Sequence, residues 1–251
     1  MTSAVQRLAA LRAVLFDLDG VLTPTAEVHM RAWERMFSGF LASRSAAAYT
    51  DTDYFAHIDG RPRLDGVRAM LASRGIVLPE GTPGDDPALE TVAGLGNRKN
   101  AAFTAELAER GVAPYPGSVR FLDAVVAAGL GVAVVSSSRN ADAVLRAAGL
   151  RDRFAVVVDG QAAAAAGLAG KPAPDTYLHA AALLGRTAAE CAVVEDAHSG
   201  VAAGRAGGFG LVVGVDRGAG ALELLASGAD LVVDDLADLI PGLPIASQDR
   251  P

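Results

Sequence analysis

The stretch "VLFDLDGVLTPTAEVH", Val14 to His29, decides how the rest of the chain is read. An apolar run, Ala13 to Asp19, ends in two carboxylates, Asp17 and Asp19, split by one leucine and followed at once by Gly20. In an extended chain residues i and i+2 share a face, so Asp17 and Asp19 point one way while Leu18 points back toward a core. Two like charges held side by side repel. The pair makes sense if a cation sits beside it, or if one member is protonated when it works.

Similar apolar runs recur later in the chain: "GVAVVSSS" (Gly131 to Ser138), "FAVVVD" (Phe154 to Asp159), "CAVVEDA" (Cys191 to Ala197), "FGLVVGVD" (Phe209 to Asp216) and "ADLVVDD" (Ala229 to Asp235). With the first run they read as buried strands of a parallel sheet. Helices over Ser118–Ala128, Ala141–Ala148, Pro174–Leu184 and Ser199–Ala206 serve as crossovers. The expected fold class is α/β, a doubly wound, Rossmann-like parallel-sheet core in two pieces, 9–25 and 113–245. Between them, 26–112 has helical periodicity and no buried strand, as in "EVHMRAWERMFSGFLA" and "GLGNRKNAAFTAELAERG", and reads as an inserted α-helical cap. "LPEGTPGDDP" (Leu78 to Pro87) is a loop inside it. The alanine run Ala162 to Ala166 is read as compositional bias, and the tail past Pro241 as frayed.

With 251 residues, about half of them hydrophobic, the chain can bury a substantial core. A net charge of −7 without a long Lys/Arg cluster argues against nucleic acid or an anionic membrane as partner. Cys191 is the only cysteine, so no intrachain disulfide forms, and its place before an apolar run reads as a buried thiol in a reducing compartment. "MTSAVQRLAALRAV" has no signal-peptide core and no apolar run approaches bilayer length, so a cytoplasmic protein is expected.

In open α/β sheets ligands bind outside the carboxyl ends of the strands. Those ends carry Asp17-Leu18-Asp19-Gly20, Ser136-Ser137-Ser138-Arg139-Asn140 and Glu195-Asp196, and Lys171 sits ahead of a helix in "AGKPAPDTY". Four acidic groups on one rim suit a hard cation such as Mg²⁺. Ser136 and Lys171 suit the oxygens of a phosphate, and an aspartate can attack phosphorus to form an acyl phosphate while its neighbour handles a proton.

The motifs "DLDGVLTPT", "VVSSSRN", "KPAPDTY" and "VVEDAHSG" resemble, in order and spacing, the four signatures of the haloacid dehalogenase-like (HAD) phosphotransferases. The further features "TAEVHMRAW", "DGRPRLDGV", "NRKN" and "SSSRN" resemble the β-phosphoglucomutase branch. The resemblance implies a Mg²⁺-dependent mutase interconverting β-D-glucose 1-phosphate and glucose 6-phosphate through an aspartyl-phosphate enzyme, with glucose 1,6-bisphosphate as activator and intermediate. It implies Asp17 as nucleophile and Asp19 as general acid/base, with Mg²⁺ held by Asp17, Asp196, the backbone carbonyl of Asp19, and Glu195. Ser136, Lys171 and the Ser137 backbone would hold the transferring phosphoryl group. Arg63, with Arg61 behind it, would grip the distal phosphate, while Lys99 faces the sugar and Ser138 and Asn140 complete the grip. Thr25 and His29 match a hinge region. Two departures stand out: Pro24 where an acidic residue is common, and a cap segment made more basic by Arg61.

Each feature also has a plainer reading. A lone D-x-D is common in turns, Ser136 to Ser138 can cap a helix, and surface Lys and Arg are usually solvated. His29 and Trp33, one helical turn apart, can be packing residues, and His198 reads as a helix-start residue. The alternatives to the mutase are a sugar-phosphate phosphatase on the same fold and a noncatalytic sugar-phosphate-binding protein. A monomer acting on a small phosphorylated sugar is expected.

Overall fold

The computed structural model describes residues 7–58 and 63–243. Strand β1 (Ala13–Phe16) leads into four helices, α1 (Thr25–Ala42), α2 (Asp51–His57), α3 (Arg63–Ser73) and α4 (Val92–Arg110). The chain then runs through α5 (Pro116–Ala127), β2 (Gly131–Val135), α6 (Ala141–Ala147), β3 (Val156–Val158), α7 (Gly160–Ala165), α8 (Asp175–Leu183), β4 (Cys191–Glu195), α9 (His198–Ala206), β5 (Leu211–Val215), α10 (Ala221–Ala226) and β6 (Leu231–Val233). Two units result: Thr25–Gly111 forms one, and the chain before and after it forms the other.

The sheet is parallel throughout, with strand order β3-β2-β1-β4-β5-β6. This is the doubly wound order, reversing direction at β1, where such sheets open a crevice beyond their strand ends. The central strands read as continuous apolar runs because both of their faces are covered: β1, β4 and β5 are buried at every residue. On one face Phe16 meets Phe121 and Phe154 edge-on, with ring centroids 6.0 and 6.2 Å apart. On the other, Leu15, Val135 and Val193 pack with Tyr177 and Phe209. Burying each large side chain contributes about 1.5–3 kcal/mol. Register sets the site: Phe16 lies opposite both Val134 and Val194, so the residues that follow these strands emerge side by side.

The helical unit is built on a stripe at helical spacing. Trp33, Phe37, Phe40 and Leu41 of α1 pack with Val67, Met70, Val92 and Leu95, and the Trp33 and Phe37 rings stack at 5.6 Å. A Thr50–Asp53 capping box starts α2, and the Thr91 hydroxyl accepts the Gly94 N–H at the start of α4. Residues 78–91 form a loop, as its Pro/Gly/Asp content predicts.

The structure differs from the sequence reading in two places. The alanine run forms most of α7, started by Asp159, whose carboxylate accepts the Gln161 and Ala162 N–H groups; alanine's high helix propensity needs only that cap. Pro241 and Gly242 are not frayed but close the 3₁₀ turn Leu236–Gly242, while the tail from residue 244 lies outside the described residues. Cys191 is buried, donates toward the Thr187 carbonyl at 3.3 Å, and burial pushes its thiol up to about 11. Among the described residues no helix is long and apolar enough to cross a membrane.

Candidate active site

Asp17 continues the ladder by one bond beyond β1, its N–H donating to the Val194 carbonyl at 2.9 Å. The chain then turns back at Gly20, at φ +80°, and bridges Asp19 to Thr23. Leu18 is fully buried, as the alternation requires. From its place ahead of α8, Lys171 sends its ammonium to Asp17 Oδ1 and Glu195 Oε1, each at 2.5 Å, and to the Val135 carbonyl at 3.2 Å. That carbonyl directly precedes Ser136. The Tyr177 hydroxyl donates to Glu195 Oε1 at 3.0 Å, and its ring centroid lies 5.0 Å from the Lys171 ammonium. Glu195 Oε2 accepts the N–H groups of Asp196 and Ala197, both at 3.1 Å.

Two glycines make room for these acids. A Cβ on Gly20 would lie 1.8 Å from Asp196 Oδ2, and one on Gly200 would lie 1.7 Å from Glu195 Oε1. The glycines of "DLDG" and "EDAHSG" are therefore spatial requirements of the acidic cluster.

Burial pushes the Asp17 carboxyl well up; Lys171 pulls it back, and Glu195, Asp19 and Asp196 push it further up. Burial and then the Glu195 and Asp19 charges push Asp196 up to about 8. Burial opposes the charge on Lys171, but Asp17 and Glu195 outweigh it and raise its pKa, holding it protonated. One ammonium thus stands against four carboxylates. Carboxylate oxygens of Asp17, Glu195 and Asp196 lie within 4.8 Å of one another, a donor set and a charge excess that fit a divalent, oxygen-seeking cation. The Asp19 carboxylate is not in that group.

The serine loop is ordered by its own hydroxyls. Ser136 is buried, its N–H donates to the Val158 carbonyl, its Oγ accepts the Ser138 N–H, and Ser138 Oγ in turn accepts the Asn140 N–H, both at 3.1 Å. Ser137 is exposed, and Asn140 precedes the first turn of α6 without a side-chain cap bond. His198 starts α9 and meets Ser227 Oγ at 3.0 Å.

Within the helical unit Lys99 and His29 come together. Lys99 is 4 % exposed, and its ammonium donates to His29 Nδ1 at 2.6 Å while facing the rings of Trp33 and Phe103. His29 stacks on Phe103 with centroids 4.4 Å apart, and burial followed by the Lys99 charge pushes it down to about 3, so the ring is neutral. Thr25 is buried at the start of α1, and Arg63, half-buried, opens α3. Arg61 lies outside the described residues. Tyr177 and Gly200 are site residues that the sequence reading passed over; Tyr177 stands in the quoted "KPAPDTY", six places after Lys171.

A strand-end aspartate locked to a lysine beside further acids defines a phosphoryl-transfer class, and the chain belongs to the haloacid dehalogenase-like hydrolase family, whose model matches residues 11–208. It is 52% identical over 241 residues to a β-phosphoglucomutase of Mycobacterium bovis, covering 92% of each chain. Among solved structures it resembles a putative β-phosphoglucomutase of Thermotoga maritima at 26% identity, with TM-score 0.70 and coverage of 92% and 97% of the two chains. It also resembles a CbbY variant from Rhodobacter sphaeroides solved with xylulose-1,5-bisphosphate, at 26% identity and TM-score 0.72, covering 94% and 100%. The chain is an enzyme of this superfamily, a phosphomutase in the β-phosphoglucomutase branch; the noncatalytic reading is set aside.

Proposed function

We propose that this enzyme interconverts β-D-glucose 1-phosphate and glucose 6-phosphate, with Asp17 carrying the phosphoryl group between sugars. The Asp17 carboxylate attacks phosphorus of glucose 1,6-bisphosphate; the bond from phosphorus to the sugar oxygen breaks, and that oxygen takes the proton held by Asp19. In the reverse half, Asp19 removes the proton from the monophosphate's free hydroxyl, that oxygen attacks phosphorus of the phosphoaspartate, and the bond from phosphorus to Asp17 breaks to restore its carboxylate. Lys171, kept charged by its two carboxylates, neutralises a phosphoryl oxygen, and Ser136 with the Ser137 N–H binds the others. In the helical unit Arg63 would hold the distal phosphate through a two-pronged bond.

Mg²⁺ fits Asp17, Asp196 and the Asp19 carbonyl, and when bound would offset the carboxylate charge that otherwise repels a phosphate. Glu195, the third acid of that cluster, is the further candidate ligand and has a second task. Its oxygens accept Lys171, Tyr177 and two backbone N–H groups, so it also anchors Lys171. The neutral His29 orients Lys99, and Ser138 and Asn140 line the loop after β2.

The observation that carries the proposal is Lys171 joined to both Asp17 and Glu195 beside Asp196. The 52% identity to a β-phosphoglucomutase supports the choice of sugar. The test is to incubate the protein with β-glucose 1-phosphate, Mg²⁺ and a trace of glucose 1,6-bisphosphate. Glucose 6-phosphate is the expected product; free phosphate and glucose instead would make it a phosphatase.

A further inference from the structure

The loop around Asp19 is held by hydrogen bonds to its carbonyls, and Thr23 O accepts the Gly20 N–H at 2.8 Å. Leu18 O takes the N–H groups of Leu22 and Thr23, Val21 O the Ser118 hydroxyl, Leu22 O the Tyr115 N–H, and Gly20 O the Arg217 Nε. The last bond, 3.0 Å long, spans 197 residues of sequence. Arg217 stands two residues beyond β5, in a turn closed by Asp216, whose Oδ1 accepts the N–H groups of Gly218 and Gly220. Its Nη1 donates to the Asp234 carbonyl at 2.9 Å, and its guanidinium lies 3.9 Å from the centre of the Tyr115 ring. Arg217 therefore touches the loop directly at Gly20 and indirectly through Tyr115, whose own N–H holds Leu22.

We infer that Arg217 is a positioning residue that clamps the Gly20 peptide and so fixes Asp19, one residue before it, and the floor beneath the Asp196 carboxylate. The inference rests on the reading of Asp19 as proton carrier. Gly20 is the sensitive point: a Cβ there would collide with Asp196 Oδ2, so a shift of this peptide is felt on both sides at once. A planar fork with several donors can hold two carbonyls while stacked on a ring; a lysine ammonium reproduces only part of that.

The test uses the full chain with Arg217→Met, Arg217→Lys and Tyr115→Leu, the last removing the ring and keeping the backbone N–H. Amide hydrogen exchange over 17–23 should accelerate about tenfold in Arg217→Met and less in the other two, while exchange in α4 stays unchanged. Unchanged exchange over 17–23 in all three overturns the inference, whatever the enzyme's activity. Conversion of β-glucose 1-phosphate requires the Asp19 proton, whereas the first transfer from acetyl phosphate to Asp17, followed in single turnover as phosphoenzyme formed, releases acetate and does not. Arg217→Met should therefore lose about tenfold more kcat on the sugar phosphate, with KM within about twofold and partial recovery in Arg217→Lys. An equal fall on both substrates would reduce Arg217 to a structural part and overturn the inference. Failure of the wild type on the sugar phosphate would count against the proposed function alone, leaving the exchange result to decide on Arg217.

Discussion

Lys171→Met removes the one positive charge in the acidic cluster while keeping most of its apolar stem. Lys171, Asp17 and Glu195 have side-chain exposures of only 7, 9 and 1 %, and both ion pairs measure 2.5 Å, so water cannot take the ammonium's place. Breaking one buried pair by removing a partner costs about 3–5 kcal/mol. Here one ammonium serves two carboxylates, which puts the loss near 5 kcal/mol, and protonation of Asp17 gives some of it back. Without the ammonium the folded-state pKa of Asp17 rises further above its unfolded value of about 4, and a carboxyl raised in the fold loses stability as pH rises through that window. The variant should therefore be hurt more near pH 8 than near pH 5.5. For a chain of this size the loss corresponds to a fall in Tm of roughly 10 °C. Calorimetry in chelator is the assay, because Trp33, the only tryptophan, lies in the helical unit and its fluorescence would not follow the sheet. A loss below about 1 kcal/mol near pH 8, or one that does not shrink on acidification, would refute a buried ammonium balancing these carboxylates.

Asp19→Asn should keep phosphate-analogue binding while slowing turnover by about 10²- to 10⁴-fold; a loss of under tenfold would assign the proton elsewhere. Mg²⁺ at about a hundred times its Kd should stabilise the wild type by about 2.7 kcal/mol, and Asp196→Ala should erase that rise in Tm; an equal rise in both would place the cation elsewhere. His29, near 3 in the fold against 6.5 unfolded, binds fewer protons than the unfolded chain between those values, so its contribution is lost as pH falls from about 6.5 toward 3. His29→Asn, which keeps an acceptor for Lys99, should flatten that acid limb in Trp33 fluorescence, and an unaltered limb would show that His29 does not set it.

What the sequence made legible follows from chain geometry. Asp17, Ser136 and Glu195-Asp196 sit where apolar runs stop, and in a parallel sheet those stops share one edge, so reading the runs finds the acidic rim. Lys171 was reachable because its motif precedes a helix by a fixed step. Contacts that close over long separations left no periodic trace. The Lys99–His29 pair spans 70 residues, and nothing in the sequence marks the aromatic rings that Lys99 is buried against. Tyr177 falls on the buried side of α8 like any core aromatic, and its hydroxyl is what sets it apart. Arg217 lies in a turn whose sequence marks only the turn. For α7 the signal was present in Asp159 followed by alanines, but composition masked it.

The central claim is that Asp17 carries the phosphoryl group. Rapid acid quench of the enzyme with glucose 1,6-bisphosphate and Mg²⁺, followed by borohydride reduction and peptide mapping, reads the site directly. Label on Asp17, absent in Asp17→Asn and confined to Asp17 in Asp19→Asn, is the expected result. Turnover without label on Asp17, or label on Asp19 or Ser136 in the wild type, would contradict it.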